Sequence, residues 1–238
     1  MGTANQKTIQ QIQSENREFF RIAFSVDCVI FGFHKNELNV LLLKSDLEEF
    51  KDKWSLLGDL VRTDENLDDA PYRILKERTG LNDVFLEQVS TFGNIDRHPA
   101  GRVITTVYYS LINVKDHLLR LQHQELSWFP VTKLPQLAFD HYEILQTCIK
   151  KLQDKIDKEP VVFNLLPEKF SLRELQNLYE AILDTKLDRR NFRKKLFLMD
   201  WLADANEMEQ DVPHRPGKLY QYRNKALVNI ITAQTVVQ

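Results

Sequence analysis

The chain contains few of the residues and patterns that mark several special classes of protein. It has two cysteines, Cys28 and Cys148, which lie far apart in an apolar strand-like run and a helix-like run. This placement favours two buried thiols over a disulfide or a metal-binding pair. No apolar run reaches the roughly 20 residues that a membrane-spanning helix needs. We therefore expect a protein of a reducing cytoplasm with no membrane partner.

The chain also has neither an excess of charge of one sign nor an apolar leader. Its net charge of -2 argues against a globally basic surface for nucleic acid but leaves room for a local basic patch. Residues 1–20 are polar and Gln-rich, so they do not resemble a signal peptide, and we interpret them as a polar N-terminal tail. The length of 238 residues suits one large domain or two modest ones.

The segment from Ser25 to Pro130 is rich in predicted strands. Two short apolar runs, 25–31 and 38–44, flank the polar pair Lys35-Asn36, which predicts a β-hairpin. Further predicted strands are Leu86–Phe92, Val103–Val114 and Leu126–Pro130. Helical spacing of apolar residues predicts helices at Asn66–Thr79, which would end at Gly80, and at His141–Lys155. Strands of this kind, closed by helices, favour an α/β/α sandwich over residues 21–157.

The pattern changes after a polar, Pro-ended joint at Asp157–Pro160, so we predict a second domain over residues 158–238. Ser171 and Glu174 predict a capping box at the start of one helix. Asp188 is expected to cap a second helix, 189–199, which begins with basic residues. An apolar-aromatic run, 219–222, follows. This order predicts a winged helix-turn-helix, and the whole chain falls in the α+β class.

The segment from Asp59 to Leu81 resembles the Nudix box, G-x5-E-x7-R-E-U-x-E-E-x-G-U, in which U is a bulky apolar residue. The matching residues are Glu65, Arg73, Leu75, Glu77, Gly80 and Leu81. The chain has Asp59 in place of the first Gly, and Ile74 and Arg78 in place of two clustered glutamates. Mg²⁺ needs oxygen ligands, which neither Ile74 nor Arg78 supplies. The resemblance therefore implies a Nudix fold with a degenerate box and no catalytic residues.

Two carboxylates of the box remain, and they permit two interpretations. Glu65 and Glu77 could hold one weakly bound Mg²⁺. Alternatively, Glu77 forms a surface ion pair with Arg73 at i, i+4 spacing. Because two-metal phosphoryl chemistry needs several carboxylates, we expect no resident metal or other cofactor and no pyrophosphohydrolase activity.

A loop and strand at residues 92–103 look like the ligand-approaching segment of Nudix proteins related to ADP-ribose hydrolases. The resemblance makes four side chains of this segment candidates for effector binding: Asp96, Arg97, His98 and Arg102. Arginine suits phosphate, whereas aspartate and histidine suit sugar hydroxyls. The alternative is a solvated loop. His98 and His141, each taken alone, give no reason to predict a metal site.

The basic helix is either a solvated face or a DNA-binding helix. Residues 163–194 closely resemble the C-terminal domain of the Nudix-related transcriptional regulators, whose members respond to ADP-ribose or, in one branch, to L-arabinose. The resemblance favours DNA binding. A hairpin with a basic tip, Arg215 and Lys218, is expected to follow the helix. From these positions alone we assign base contacts to the start of the helix and phosphate contacts to arginines and lysines at either end. The predicted DNA-binding residues are Arg189, Arg190, Asn191, Arg193, Lys194, Arg215 and Lys218.

These observations lead to one main functional hypothesis and two alternatives. The main one is a ligand-responsive DNA-binding transcriptional regulator that senses a sugar or sugar nucleotide, with L-arabinose favoured and ADP-ribose next. As a homodimer it would bind a pseudo-palindromic double-stranded operator. The alternatives are a Nudix-type hydrolase of nucleoside diphosphates such as ADP-ribose, with an accessory domain, and a protein-interaction module that does not contact DNA.

Overall fold

A computed structural model of the chain describes residues 21–45, 47–82, 84–114, 125–211, 213 and 215–224. The strands are β1 (Ala23–His34), β2 (Glu37–Lys44), β3 (Trp54–Ser55), β4 (Leu57–Leu60), β5 (Glu87–Phe92), β6 (Val103–Ile112), β7 (Leu126–Pro130), β8 (Phe170–Ser171), β9 (Leu202–Met208) and β10 (Lys218–Tyr222). The α-helices are α1 (Ala70–Thr79), α2 (His141–Lys155), α3 (Leu172–Leu183) and α4 (Arg189–Leu198). The predicted N-terminal tail and the segment after residue 224 lie outside the described residues.

Strands β1 to β7 form one mixed sheet. Its main path is β3-β2-β1-β6-β5, and β4 and β7 pair with β1 and β2. The predicted hairpin joins β1 and β2, and its turn residues Lys35 and Asn36 both have positive φ, 52° and 63°. Positive φ at both central residues is the mark of a type I′ turn, whose twist matches that of the strands it connects. Strands β1 and β6 pair in parallel along ten residues, which brings together segments far apart in the chain.

Alternation along β1 divides the core of the first domain into two layers. Val26, Cys28 and Ile30 pack with α1 on one face of the sheet, whereas Val29 and Phe31 pack with α2 on the other. Successive side chains of a strand point to opposite faces, so a strand buried throughout requires cover on both sides. The predicted α/β/α sandwich is therefore confirmed. Both cysteines are free and buried, as predicted.

Helix α1 begins at Ala70, four residues later than predicted. The preceding residues 66–69 form a turn instead, in which the side-chain amide of Asn66 donates to the carboxylate of Asp69 over 2.9 Å. Pro71 lies in the first turn of the helix, where its missing N–H removes no helical hydrogen bond. The end of the helix agrees with the prediction, because Gly80 adopts the left-handed conformation with φ 75°.

The second domain combines α3, α4 and a three-stranded sheet in the order β8-β10-β9. The predicted capping box is present, with Ser171 accepting from the Glu174 amide while the Glu174 carboxylate accepts from the Ser171 amide. Asp188 caps α4 by accepting from the amide of Asn191 over 2.8 Å. Strand β9 is the first strand of the predicted hairpin, but the sequence did not give it a range. Its sequence is mostly polar, and Leu202 is its one buried residue. The winged helix-turn-helix architecture is confirmed.

The two domains share a single apolar core. Buried residues of β1, β2 and α2 belong to the same cluster as those of α3 and α4. Hydrogen bonds cross the joint as well: the Tyr179 hydroxyl donates to the Ile156 carbonyl over 2.8 Å, and the Gln153 amide donates to the Ile182 carbonyl over 2.8 Å. The domain limits 1–20, 21–157 and 158–238 stay predictions. Among the described helices, none has the length and apolar character that crossing a membrane requires.

Candidate effector cavity and nucleic-acid interface

A cavity of about 210 Å³ opens in the first domain between β1, β4, the loop after β5 and the start of α2. Its walls combine charged, aromatic and apolar side chains. The lining residues that bear on function are Asp27, Asp59, Arg78, Arg97, His98, Phe139 and His141. Four of these, Asp59, Arg78, Arg97 and His98, come from the degenerate box and from the loop at residues 92–103, both of which the sequence singled out.

The floor of the cavity is built around the guanidinium of Arg97, whose side chain is 3% exposed. Its Nε and Nη2 atoms donate to the two carboxylate oxygens of Asp140 over 2.9 and 2.8 Å, a bidentate pairing. Its Nη2 also lies 3.5 Å from Oδ2 of Asp27, which accepts from the Thr105 hydroxyl over 2.8 Å. One buried cation thus joins two carboxylates, so its charge is already compensated.

The structure places only two of the four predicted effector residues at the cavity. Arg97 and His98 line it, and the His98 ring stacks on Phe139 with centroids 5.0 Å apart. Partial burial and the nearby Arg97 charge lower the pKa of His98, which favours the neutral ring. Asp96 is exposed and is not part of the lining. Arg102 donates to two carbonyls of the loop before it, so it closes that loop. The effector roles stay predictions.

Sequence reasoning missed the acidic partners of Arg97 and the place of His141. Asp27 is a charged residue inside an otherwise apolar strand, a signal that could have marked it as functional. His141 opens α2, as predicted, and is buried: its Nδ1 accepts from the Leu56 amide over 3.0 Å and its Nε2 lies 3.6 Å from Asp27. Burial lowers the pKa of His141. These contacts fit a structural histidine.

Both remaining carboxylates of the degenerate Nudix box are engaged by arginines. Glu65 accepts from Nε and Nη2 of Arg73, both over 2.7 Å, and these hydrogen bonds lower the pKa of Glu65 to about 2. Glu77 lies 3.2 Å from Arg73, in the predicted i, i+4 ion pair, and 3.1 Å from Arg62. In the part of the chain that the structure describes, no group of three or more His, Cys, Asp or Glu residues could hold a metal.

The two positions of the box at which a glutamate is replaced lie in different surroundings. Ile74 is 1% exposed and packs in the core between α1 and the sheet. Arg78 lines the cavity, and its Nη2 lies 3.7 Å from Oδ2 of Asp59, the residue in place of the first Gly. A Nudix fold implies a divalent cation here, but a buried Ile, an Arg and two carboxylates paired with arginines do not fit one.

A second concavity lies on the winged helix, between the start of α3, one face of α4 and the β9–β10 hairpin. The basic residues that line it are Arg173, Arg189, Arg193, Arg215 and Lys218. Helix α4 is anchored by the buried Phe192 and Leu196, which leaves its basic face toward solvent. Five cations around one concavity can bind a polyanion such as the phosphate backbone of nucleic acid.

Four of the seven predicted DNA-binding residues line this concavity: Arg189, Arg193, Arg215 and Lys218. The other three, Arg190, Asn191 and Lys194, lie exposed on α4 outside the lining. Lys218 also donates to Asp204 across the hairpin over 2.8 Å. Arg173 was not predicted. Its position two residues after the capping Ser171 places a basic side chain at the start of α3, and this could have suggested it as a further contact. The DNA-binding roles stay predictions.

Family models match both halves of the chain. A NUDIX domain model matches residues 22–148, and the model described as NrtR DNA-binding winged helix domain matches residues 162–222. A curated relative, the ADPR responsive transcriptional repressor NtrR of Acinetobacter baylyi, is 34% identical over 203 residues, which cover 83% of this chain and 81% of the relative.

Solved structures and a second curated relative agree with this pairing of domains. Shewanella oneidensis NrtR in complex with a 27mer DNA is 28% identical, with a TM-score of 0.70, over 84% of this chain and 93% of that one. The NUDIX domain of the same protein in complex with ADP ribose has a TM-score of 0.53 at 28% identity, over 61% of this chain and 99% of that one. An ADP-ribose pyrophosphatase of Methanocaldococcus jannaschii is 28% identical over 57% of this chain and 80% of its own length.

The NUDIX domain match covers more than half of the chain, and the Acinetobacter relative is similar through both domains. The geometry agrees, because a Nudix sandwich with a degenerate box is joined to a winged helix with a basic face. The chain therefore belongs to the Nudix-related transcriptional regulators, in which a NUDIX domain precedes an NrtR-type DNA-binding winged helix domain.

Proposed function

We propose that this protein is an ADP-ribose-responsive transcriptional repressor. The observation that carries the proposal is the 34% identity to an ADPR responsive repressor, which extends through both the sensor and the winged helix. The Shewanella relative supports DNA binding and ADP-ribose binding separately. It was crystallised with DNA, and its NUDIX domain was crystallised with ADP ribose. In this proposal the protein works in the cytoplasm.

ADP-ribose replaces L-arabinose as the proposed effector. The sequence favoured L-arabinose, but the similar regulator and the similar NUDIX domain are both described with ADP-ribose. The cavity agrees in its chemistry, because it offers guanidinium groups beside aromatic and carboxylate side chains. Its volume of about 210 Å³ is below the roughly 300–1,000 Å³ of ordinary ligand pockets. ADP-ribose would fill the cavity with one part and extend beyond its mouth.

We propose further that the bound ligand is not hydrolysed. Glu65 and Glu77, the carboxylates retained in the box, are held by Arg73 and Arg62. Pyrophosphate hydrolysis of the Nudix kind places metal ions on such carboxylates, and this chain has too few of them. The alternative function, an ADP-ribose hydrolase with an accessory domain, is favoured by the similarity to the archaeal pyrophosphatase.

On DNA, the proposed repressor acts as a homodimer on a pseudo-palindromic double-stranded operator. The start of α4 would lie in the major groove, where Arg189 and Arg190 would reach guanine edges and Asn191 adenine edges. Arg173, Arg193 and the wing residues would contact phosphates. A two-fold dimer presents two such helices with fixed spacing, which selects two half-sites.

Fluorescence anisotropy with labelled DNA from upstream of the protein's own operon tests the DNA half of the proposal. We expect sequence-selective binding that weakens with salt and is displaced by ADP-ribose but not by L-arabinose. The double variant Arg189→Ala with Arg193→Ala should lose one base contact and one phosphate contact, which weakens sequence selectivity and reduces the salt slope by about one. Lys186→Ala, an exposed charge outside the lining of the basic concavity, serves as the matched control. Equal binding to unrelated DNA would favour a protein-interaction module instead.

Incubation of the protein with ADP-ribose and Mg²⁺ or Mn²⁺ tests the hydrolase alternative. We expect no release of AMP and ribose 5-phosphate above the background of the buffer. Turnover at ordinary enzyme rates that disappears in Glu77→Gln would establish the hydrolase and overturn the proposal of a sensor without hydrolysis.

A further inference from the structure

A cleft of about 550 Å³ lies at the joint between the two domains. One wall consists of the β1–β2 turn and the segment after β7, which contribute Asn36 and Thr132. The other wall consists of α3 and the turn after it, which contribute Asn177, Ala181 and Thr185. A hydrogen bond bridges the two walls: the side-chain amide of Asn177 donates to the side-chain oxygen of Asn36 over 3.0 Å. The joint is therefore open at this edge and bridged there by a polar contact.

Helix α3 is packed on one face and borders the cleft on another. Tyr179 is buried in the core that both domains share, and its hydroxyl donates to the Ile156 carbonyl over 2.8 Å. Asn177 precedes Tyr179 by two residues, which turns its side chain about 200° around the helix axis, to the side of the cleft. The buried face of α3 can therefore serve as a pivot, and the cleft leaves room for the helix to move.

The turn between α3 and α4 ties this helix to the basic helix that follows. The Glu180 carboxylate accepts from the Leu187 amide over 3.1 Å. The side-chain amide of Gln176 donates both to Glu180 over 3.0 Å and to the Leu187 carbonyl over 2.9 Å. Asp188 comes next and caps α4. A displacement of α3 at the cleft therefore moves the start of α4, where the residues predicted to contact bases lie.

Strand β1 connects the cleft to the effector cavity. Its Asp27 lies 3.5 Å from Arg97 at the cavity floor, and its far end leads into the turn that carries Asn36. At about 3.3 Å per residue the two points are roughly 25 Å apart. The strand is held along this length by pairing with β6 and, toward the turn, with β2. A change in the ion network of the cavity can therefore reach the cleft through one element.

We propose that the Asn36–Asn177 hydrogen bond is an interdomain latch, which holds the winged helix in one of two positions, and that ADP-ribose shifts the balance between the latched and the open position. This inference rests on the proposed function, since it assumes that ADP-ribose controls DNA binding. One hydrogen bond changes an equilibrium by about 2- to 10-fold. That is enough to bias two positions of nearly equal free energy, between which a ligand can then select.

Reversible crosslinking of the two walls tests whether the cleft has to change for the protein to respond. The variant Asn36→Cys with Asn177→Cys is joined by a short bifunctional thiol reagent that a reductant cleaves, while the natural Cys28 and Cys148 are buried. Fluorescence anisotropy gives the Kd for the labelled upstream DNA with and without ADP-ribose. We expect these two Kd values to agree within about twofold in the crosslinked protein, because a ligand cannot shift an equilibrium that is fixed. Cleavage should restore the response. The two single-cysteine variants, treated with the same reagent, are the controls.

The variant Asn177→Ala tests the hydrogen bond itself. Loss of the latch should change the ADP-ribose concentration that displaces half of the DNA by about 2- to 10-fold. Thr185→Ala is the matched control, since Thr185 is exposed on the same wall of the cleft and its truncation leaves the bridge in place. It should change that concentration by less than about twofold.

The outcomes separate the latch from the function on which it rests. Three results would each overturn the latch while ADP-ribose remained the effector. They are a crosslinked protein that responds to ADP-ribose as the natural chain does, a response that stays lost after cleavage, and equal ADP-ribose midpoints for Asn177→Ala and Thr185→Ala. DNA binding of the natural chain that is indifferent to ADP-ribose would refute the proposed effector control and the latch together.

Discussion

Replacing Arg97 by Met tests the buried ion network beneath the effector cavity. The change leaves Asp27 and Asp140, whose side chains are 8% and 11% exposed, without their shared cation. Removing one partner of a buried ion pair costs about 3–5 kcal/mol, because the remaining charge is desolvated and uncompensated. For a chain of this size each kcal/mol lowers Tm by about 2–4 °C, so we expect Arg97→Met to lower Tm by roughly 6–20 °C.

The control for this prediction is an arginine of the same domain in an exposed ion pair. Arg62 is 53% exposed and lies 3.1 Å from Glu77, and exposed pairs contribute about 0–1 kcal/mol. Arg62→Met should therefore shift Tm by only a few degrees. Both variants are measured by thermal unfolding and by urea unfolding at pH 7, which gives the free energy of unfolding from the midpoint and slope.

A double-mutant cycle separates the loss of the ion pair from the loss of packing. Asp140→Asn in the Arg97→Met background removes a charge that the first change left unpaired. We expect the losses of unfolding free energy in the two single variants to add up to about 1–3 kcal/mol more than the loss in the double variant. A coupling of this size is typical of residues in one network. Additivity within about 0.5 kcal/mol, or an Arg97→Met stability equal to that of Arg62→Met, would refute the argument that this network holds the cavity floor.

Two further predictions concern other parts of the NUDIX domain. At Gly58 an added Cβ would lie 2.2 Å from Oδ1 of Asp27. Gly58→Ala should therefore lower the free energy of unfolding by about 1–3 kcal/mol. A Tm equal to that of the natural protein would contradict this close approach. Burial opposes ionisation of Glu87, but hydrogen bonds from Lys155 and Tyr109 outweigh it and hold its pKa below the usual range. The stabilisation is therefore present above the unfolded pKa of about 4.3 and is lost as pH falls through the lower folded value. Glu87→Gln should flatten the pH dependence of Tm below about pH 4.5, and a slope identical to that of the natural protein would contradict this assignment.

The sequence was sufficient for features that depend on neighbouring residues. The β1–β2 hairpin, helix α2 and the capping box at Ser171 all follow from apolar spacing and from short turn or cap signals. Helix α1 shows where such signals compete, because the apolar spacing continued back to Leu67 while the turn at residues 66–69 shortened the helix. Strand β9 has almost no apolar alternation and depends on pairing with β10.

The floor of the effector cavity could not be predicted, because its contacts join residues that are distant in sequence. Arg97 meets Asp140 across 43 residues and Asp27 across 70. The parallel pairing of β1 with β6 brings Asp27 close to the loop that carries Arg97. The bridge between Trp54 and Leu137 positions the segment that leads to Asp140. No local pattern specifies either pairing. The same reason explains why Arg97 was predicted as an effector ligand but is found with its charge compensated, and why Arg78 was predicted only as a lost metal ligand.

The shared core restricts how an effector can act on DNA binding. Helix α2 begins with His141 at the cavity and ends with Lys155 at the joint, about 21 Å away along the helix axis. Lys155 pairs there with Glu87 and Glu159. Strand β5 begins at Glu87 and leads into the cavity loop that carries Arg97. Close-packed cores change between discrete arrangements rather than deform continuously, and a ligand shifts them only by its preference for one arrangement. Under the proposed function, the winged helix would therefore not respond as a freely tethered domain: ADP-ribose would have to favour a packing of α2 and β5 that changes the joint itself.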